Sequence, residues 1–187
     1  MRRNLSYMDG YFYHEAEFII LENGSKNLAG KFAYTEARYV QRDQPGLGWA
    51  LREGIRRSSN EKVVFLPADM SYDLDFVPRA LTHLQNGTDI VIGSKMVKGS
   101  EVERPLKRKV LSELYSFYVN YVHNLSILDV TGTKGFKKSK VAPLLDSCGK
   151  DGIAFEVQLL KAAKKAGLRV KEIPVKVNDF RKSRFLT

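Results

Sequence analysis

Apolar residues along the chain fall into short runs and longer helical spacings that take turns. Runs at 18–21 (FIIL) and 62–66 (KVVFL) are closed by Glu22-Asn23-Gly24-Ser25 and by Pro67. A short apolar run with a turn-forming stop predicts a strand. Residues 37–41 suggest a further strand and 170–177 a last one, while the unbroken β-branched run at 89–93 (DIVIG) predicts a strand covered on both faces. Between these lie helical patterns at 49–57, at 77–85 closed by Asn86-Gly87, at 105–124 with Pro105 in the first turn, and at 155–166 closed by Gly167. No repeat or linker interrupts the order. Strands alternating with helices predict an α/β fold, a mostly parallel sheet with helices on both faces. In such sheets ligands sit beyond the carboxyl ends of the strands, here residues 22–25, 67–69 and 93–95.

Composition narrows the picture. With 187 residues, 43% hydrophobic and 28% charged, the chain can bury one core, which excludes a disordered tail. No uncharged apolar run reaches the roughly 18 residues that a membrane span needs. The first 17 residues lack the apolar centre of a signal peptide, so the expectation is a soluble, intracellular chain. Cys148 has no cysteine to pair with, and His14, His83 and His123 are scattered, which removes disulfide frameworks and zinc modules. The net charge is +10, and residues 134–187 hold fourteen Lys and Arg against five Asp and Glu. Nucleic acid, anionic headgroups and a phosphorylated substrate are all attracted by such a field, and charge alone does not choose among them.

Three places offer chemistry. The Gly46-Leu47-Gly48-Trp49-Ala50 loop opens a helix, so its backbone amides can approach a phosphate, or it is simply a turn. Asp69 follows a strand directly, where a carboxylate can hold a divalent cation that bridges a diphosphate, whereas Asp73 and Asp75 read as caps of the next helix. Lys95 closes the DIVIG strand, and Arg108 and Ser112 share one helix face with Arg104 and Lys107 nearby. That set fits a phosphate clamp or a solvated basic face.

In this order the pieces resemble the family 2 glycosyltransferases, most of all the dolichyl-phosphate mannosyltransferases and related polyprenyl-phosphate glycosyltransferases. The resemblance runs through ENGS (22–25), GLGWA (46–50), PADMS (67–71), DIVIGSK (89–95), RKVLS (108–112), the stretch from Asp129 to KGFKK (134–138), FEVQLLKAAKKAGLRVKEIPV (155–175) and FRKS (180–183). It implies a GT-A-type fold and Mg or Mn under the diphosphate, with Asp69 as metal ligand. It places Glu22, Asn23, Gly46, Gly48 and Ala68 at the nucleotide, with Arg181 and Lys182 closing over the diphosphates. Lys95, Arg108 and Ser112 come to the acceptor phosphate, and Asp129 matches an aspartate ahead of the acceptor-side helix.

The activity this implies is inverting transfer of mannose or glucose from a nucleoside-diphosphate sugar, GDP-mannose or UDP-glucose, to a polyprenyl or dolichyl phosphate. The protein would then work peripherally at the cytoplasmic membrane face, and Tyr115, Phe117, Tyr118 and Tyr121 suit either a membrane interface or packing on the sheet. Two departures bear on it. Nothing before Phe18 matches the family's opening strand with its Pro-x-Tyr-Asn-Glu end, and residues 3–15 resemble the helix that follows it, so residues 1–187 read as a single domain lacking that strand. Pro67 stands where the family's metal motif has its leading aspartate. A degenerate transferase-like binding protein or partner subunit therefore stays open, and a basic nucleic-acid binder rests on charge alone.

Overall fold

The computed structural model describes residues 16–24, 37–149, 152 and 154–179. The helix expected within residues 3–15 lies outside them, as do Arg181 and Lys182. The described elements are β1 (Ile19–Asn23), β2 (Arg38–Arg42), α1 (Leu47–Arg57), β3 (Lys62–Phe65), α2 (Phe76–Gln85), β4 (Ile90–Ser94), β5 (Glu101–Glu103) and α3 (Leu106–His123). They continue with β6 (Thr133–Lys137), α4 (Lys138–Val141), a 3-10 segment (Ala142–Ser147), α5 (Ala154–Lys165), β7 (Val170–Pro174) and β8 (Lys176–Asn178).

A four-stranded sheet in the order β3-β6-β4-β7 forms the centre, flanked by the parallel pairs β1-β2 and β5-β8. β4 and β7 are parallel, while β6 runs antiparallel to both of its neighbours. The sequence pattern does not mark β6 as a strand, because TKGFK offers one large apolar side chain, Phe136. The neighbours explain its place. Gly135 leaves room for Ala80 and Leu84 of α2 to pack against its backbone, and a Cβ on Gly132 would lie 2.3 Å from the Gly93 carbonyl oxygen. Small residues thus let a central strand form where side-chain periodicity is silent. The strand expected at 170–177 is divided: Pro174 lacks an N–H, and after it the chain leaves β4 and pairs with β5.

β4 explains the unbroken pattern of DIVIG. Ile90 and Ile92 pack with Leu51 and Ile55 of α1 and with Phe155 and Leu159 of α5. Val91 points to the opposite cluster, with Phe76, Ala80 and Leu84 of α2 and Ile173 of β7. Successive side chains face opposite sides of a strand, so a strand with helices on both faces is apolar at every position.

One cation of the basic last third, Lys134, does not contribute to the surface charge. Lys134 is buried in β6, donates to the carbonyls of Val130 (3.0 Å) and Gly132 (2.7 Å), and pairs with the Glu156 carboxylate of α5. Breaking such a pair strands a buried charge, whereas replacing both partners removes the desolvation cost as well. Lys134→Met is expected to destabilise the fold by about 3–5 kcal/mol, and Lys134→Met with Glu156→Leu to regain most of that loss, as measured by urea unfolding. Equal losses in the single and double variants would contradict this account.

Candidate functional site

Because β3 and β4 both run antiparallel to β6, their carboxyl ends flank its first residues: Phe65 is opposite Lys134, and Gly93 opposite Thr133. The chain leaves β3 through a tight turn in which Met70 donates to the Pro67 carbonyl (3.1 Å) and Ser71 donates its N–H to Asp69 Oδ1 (3.0 Å). Met70 takes a left-handed backbone with φ 56°, a region that few residues other than glycine enter. The turn leaves Asp69 exposed at the sheet end with its carboxylate oriented from below. Ala68 is exposed beside it.

Past the turn the chain is pinned to β8. Ser71 accepts from Asn178 (2.8 Å), and Tyr72 forms a β-bridge with Val177. Asp73 belongs to this seam: Oδ1 accepts the Lys176 N–H (3.0 Å) and Oδ2 pairs with Arg79 (3.3 Å). Neither aspartate caps α2 as expected, since Asp75 stands at the N-cap with no side-chain cap bond.

Tyr72 then reaches the end of β4. Its hydroxyl oxygen accepts a hydrogen bond from Lys95 Nζ at 2.8 Å, and the same ammonium lies 2.7 Å from Asp129 Oδ2. Asp129 is fully buried and accepts four hydrogen bonds: Oδ2 from the Lys95 N–H (2.8 Å) and Nζ, and Oδ1 from the Thr131 N–H (3.1 Å) and hydroxyl (2.9 Å). Burial alone would raise the Asp129 carboxyl, but Lys95 and Thr131 outweigh it and hold it below the ordinary carboxylate range. For Lys95 burial works downward, and Tyr72 with Asp129 overcomes it, so the ammonium is held above its usual value. Burial raises the Tyr72 hydroxyl despite the neighbouring cation. All three groups therefore keep their ordinary charge at neutral pH.

The remaining residues expected at the acceptor phosphate stand on α3. Arg108 Nη1 pairs with Asp179 Oδ2 at 2.9 Å, and Asp179 follows directly on β8, whose Asn178 holds Ser71. Ser112 Oγ accepts from Arg104 at 3.1 Å. Asp69, Lys95 and Arg108 are thus linked through short contacts by way of Ser71, Tyr72, Asn178 and Asp179, while the contact of Ser112 is with Arg104. Lys95 and Arg108, expected in a phosphate clamp, each carry a carboxylate partner within the chain. Asp129, buried beneath Lys95, positions that side chain and presents no face of its own to a ligand. Tyr72 and Asp179 escaped the sequence reading, and only the register of β8 against the 71–72 segment brings them in.

Of the residues expected at the nucleotide, Glu22, Asn23, Gly46 and Gly48 lie where β1 ends and α1 begins, while Ala68 stands beside Asp69. Glu22 and Asn23 end β1, and the Asn23 side-chain Oδ1 accepts the Gly46 N–H at 2.9 Å. Gly24 has φ 70°, donates to the Arg42 carbonyl, and would set a Cβ 2.9 Å from Pro45. Gly46 and Gly48 are buried at the start of α1, and the Arg42 guanidinium lies 5.7 Å from the centroid of the Trp49 ring. Asn23 therefore fastens the glycine loop to β1. A depression of about 350 Å³ lined by Asp73, Arg79 and Lys176 includes none of the expected site residues.

No group of three or more His, Cys, Asp or Glu converges on one point among the described residues. An all-protein metal cage is therefore not formed there. One exposed carboxylate fits Mg or Mn, which take oxygen donors and complete their shells with water and phosphate.

A family model described as Glycosyl transferase family 2 matches residues 5–142. The undecaprenyl-phosphate mannosyltransferase of Micrococcus luteus is 26% identical over 174 residues, which cover 86% of this chain and 71% of that protein. The polyprenol monophosphomannose synthase of Mycolicibacterium smegmatis is 26% identical over 196 residues, covering 93% and 72%. Among solved structures, glucosyl-3-phosphoglycerate synthase from Mycobacterium tuberculosis, in complex with Mn2+, UDP and glucosyl-3-phosphoglycerate, matches with a TM-score of 0.71 at 20% identity, over 97% of this chain and 67% of its own. That likeness establishes a shared GT-A-like fold. With its family model spanning most of its length, this chain belongs to glycosyl transferase family 2.

Proposed function

We propose that this chain transfers a hexose, mannose or glucose, from a nucleoside-diphosphate sugar to a polyprenyl phosphate with inversion at the anomeric carbon, working peripherally at the cytoplasmic face of a membrane. The observation that carries the reading is the Tyr72 to Lys95 contact. It joins the turn bearing Asp69 to the strand end bearing the acceptor-side cation. The two named mannosyltransferases similar to this chain support the acceptor class. Among the described residues no helix is long and apolar enough to cross a membrane, which fits peripheral contact.

In this reading one acceptor phosphate oxygen forms a bond to the anomeric carbon while the bond from that carbon to the diphosphate oxygen breaks. The electron pair leaves with the nucleoside diphosphate. A phosphate monoester has a second pKa near about 6, so it is already an anion and needs no base. What it needs is a cationic seat, which Arg108, partly exposed beside Asp179, would supply, with Lys95 adding positive charge from below. Asp69 would hold Mg or Mn together with diphosphate oxygens, and the bound cation would offset the negative charge that grows there. Glu22, Asn23, Ala68 and the Gly46 to Gly48 loop would receive the nucleotide, and Arg181 and Lys182 would close over the diphosphates. Ser112 would hydrogen-bond the acceptor.

Pro67 supports a second reading, in which the chain binds nucleotide sugar without turnover because one carboxylate of the metal motif is gone. Asp69→Asn is expected to lower Mn-dependent transfer on the order of 100-fold and to abolish the effect of Mn on donor affinity in calorimetry, with thermal stability kept. Donor binding by the wild-type chain with no transfer to any polyprenyl phosphate would favour the second reading. Arg108→Ala is expected to raise the KM for the acceptor at least about tenfold while leaving donor affinity unchanged. Unchanged acceptor kinetics would remove Arg108 from the clamp.

A further inference from the structure

The cations near the acceptor-side end of the sheet differ in what neutralises them. Lys95 lies against Asp129 with its side chain only 6% exposed, and Arg108 lies against Asp179. Each pair is neutral as a unit, so an approaching anion meets a repelling carboxylate along with the cation. Arg104 is different. It is half-buried, its Nη1 donates to Ser112 Oγ at 3.1 Å, and its Nε is buried with no hydrogen-bond partner. Among the described residues no carboxylate pairs with it: Glu101 takes Lys176 at 3.2 Å, and Glu103 accepts from the Asn178 amide at 3.4 Å. A guanidinium cannot shed its charge when buried, unlike an ammonium. A half-buried guanidinium without a counter-charge is thus a cost in the folded chain that a bound anion removes.

The backbone sets this group beside the residues expected at the acceptor. β5 and β8 run parallel with Glu103 opposite Asn178, and the Asp179 N–H donates to the Glu103 carbonyl at 2.9 Å. Arg104 and Asp179 therefore leave the paired strands side by side at the same end. The Asp179 carboxylate turns to Arg108, and the Arg104 guanidinium turns to Ser112, one helical turn further along the same face of α3. Pro105 follows Arg104 directly and stands at the N-cap of α3 with φ −55°, an angle that its ring fixes. The link between strand and helix thus has little freedom to carry Arg104 elsewhere. Arg104, Arg108 and Ser112 form one strip, with a carboxylate on the middle residue alone.

We propose that Arg104 is a phosphate-binding residue of the acceptor seat, and the one that gives the seat its net positive charge. A phosphate monoester carries about two negative charges at neutral pH. Its oxygens take the Nη donors of Arg104, whose planar fork suits phosphate better than an ammonium does. Ser112 Oγ accepts from Arg104, so its own hydroxyl hydrogen points to the same anion. Arg108 then divides its donors between Asp179 and the phosphate. This assignment rests on the phosphate acceptor of the proposed function and adds to it a preference for the dianion, because Asp179 and Asp129 offset the charges of Arg108 and Lys95 while nothing offsets Arg104. An Arg104 that only braced α3 through Ser112 would change melting behaviour and leave phosphate binding alone.

The experiment is calorimetric titration with geranyl phosphate, a short, water-soluble prenyl phosphate, with geraniol as the phosphate-free control. Arg104→Gln, which keeps a side-chain donor for Ser112, should weaken geranyl phosphate binding at least about tenfold and leave the melting temperature and the affinity for the nucleotide sugar unchanged. Arg104→Lys keeps the charge without the fork and should fall between the two. The pH profile supplies a readout that a bracing role would not move. Between about pH 7.5 and about pH 5 the phosphate loses its second charge, so the wild-type chain should lose affinity and Arg104→Gln should lose much less. Equal affinity of wild type and Arg104→Gln for geranyl phosphate, with Arg108→Ala still impaired, would overturn the proposal and leave the phosphate acceptor in place. So would a wild-type chain that binds no geranyl phosphate. If Arg104→Gln melts early, Arg104→Lys binding no more tightly than Arg104→Gln would overturn it as well. Phosphate binding that depends on Arg104 in a chain that transfers no sugar would leave the seat standing and remove the proposed activity instead.

Discussion

Lys95 and Asp129 meet where three pieces of chain must coincide: the end of β4, the loop that enters β6, and the turn that leaves β3. The carboxylate is fully buried and spends both oxygens on four hydrogen bonds, and the ammonium spends itself between that carboxylate and the Tyr72 hydroxyl. Removing either charge would leave the other buried without a partner, at a cost of several kcal/mol. The pair is therefore a constraint on position. It fixes how far β4 extends, where β6 can start, and how the 67–72 turn lies across the sheet end.

From that constraint the rest of the site follows. Tyr72 is held at Lys95 on one side and bridged to Val177 on the other, so β8 is drawn beneath the turn. β8 in turn pairs with β5 and delivers Asp179 to Arg108. The Asp69 carboxylate projects from a turn closed by its own bond to Ser71, on a foundation with few ways to move. Preorganised polar groups stabilise developing charge without reorganising at the moment of reaction, and a turn braced on both sides is suited to that role. The same bracing explains how Met70 is kept in a left-handed conformation.

α3 separates two environments. Its inner face carries Arg108, Ser112 and the buried Ser116, with Arg108 tied to the sheet end through Asp179, and its outer face is apolar. A helix of this kind cannot be stabilised by the domain core alone, because only a narrow strip of it, Ser116 and Val119, is fully buried. Its first turn adds unfavourable positive charge at the positive end of the dipole. Both features cost stability in water.

Much of the fold is legible in the chain because local patterning and global packing agree. β4 reads as doubly covered since Ile90, Val91 and Ile92 alternate between two apolar clusters, and α5 stops where Gly167, at φ 70°, can take the left-handed backbone that ends a helix. The motif order from ENGS to the segment before Val175 likewise carries the family. What the chain does not announce is β6, whose strand character comes from glycines that let neighbours approach rather than from its own side chains. Nor does it announce that Lys95 and Arg108 hold carboxylate partners, that Asp129 is buried, or that the rings of α3 face outward. Those depend on contacts between residues as far apart as Arg108 and Asp179. Sequence fixes which side chains an element carries and with what period, because these are properties of the local backbone. Only tertiary structure decides which charges meet and which faces stay uncovered, because these are set by register and crossing between elements distant in the chain.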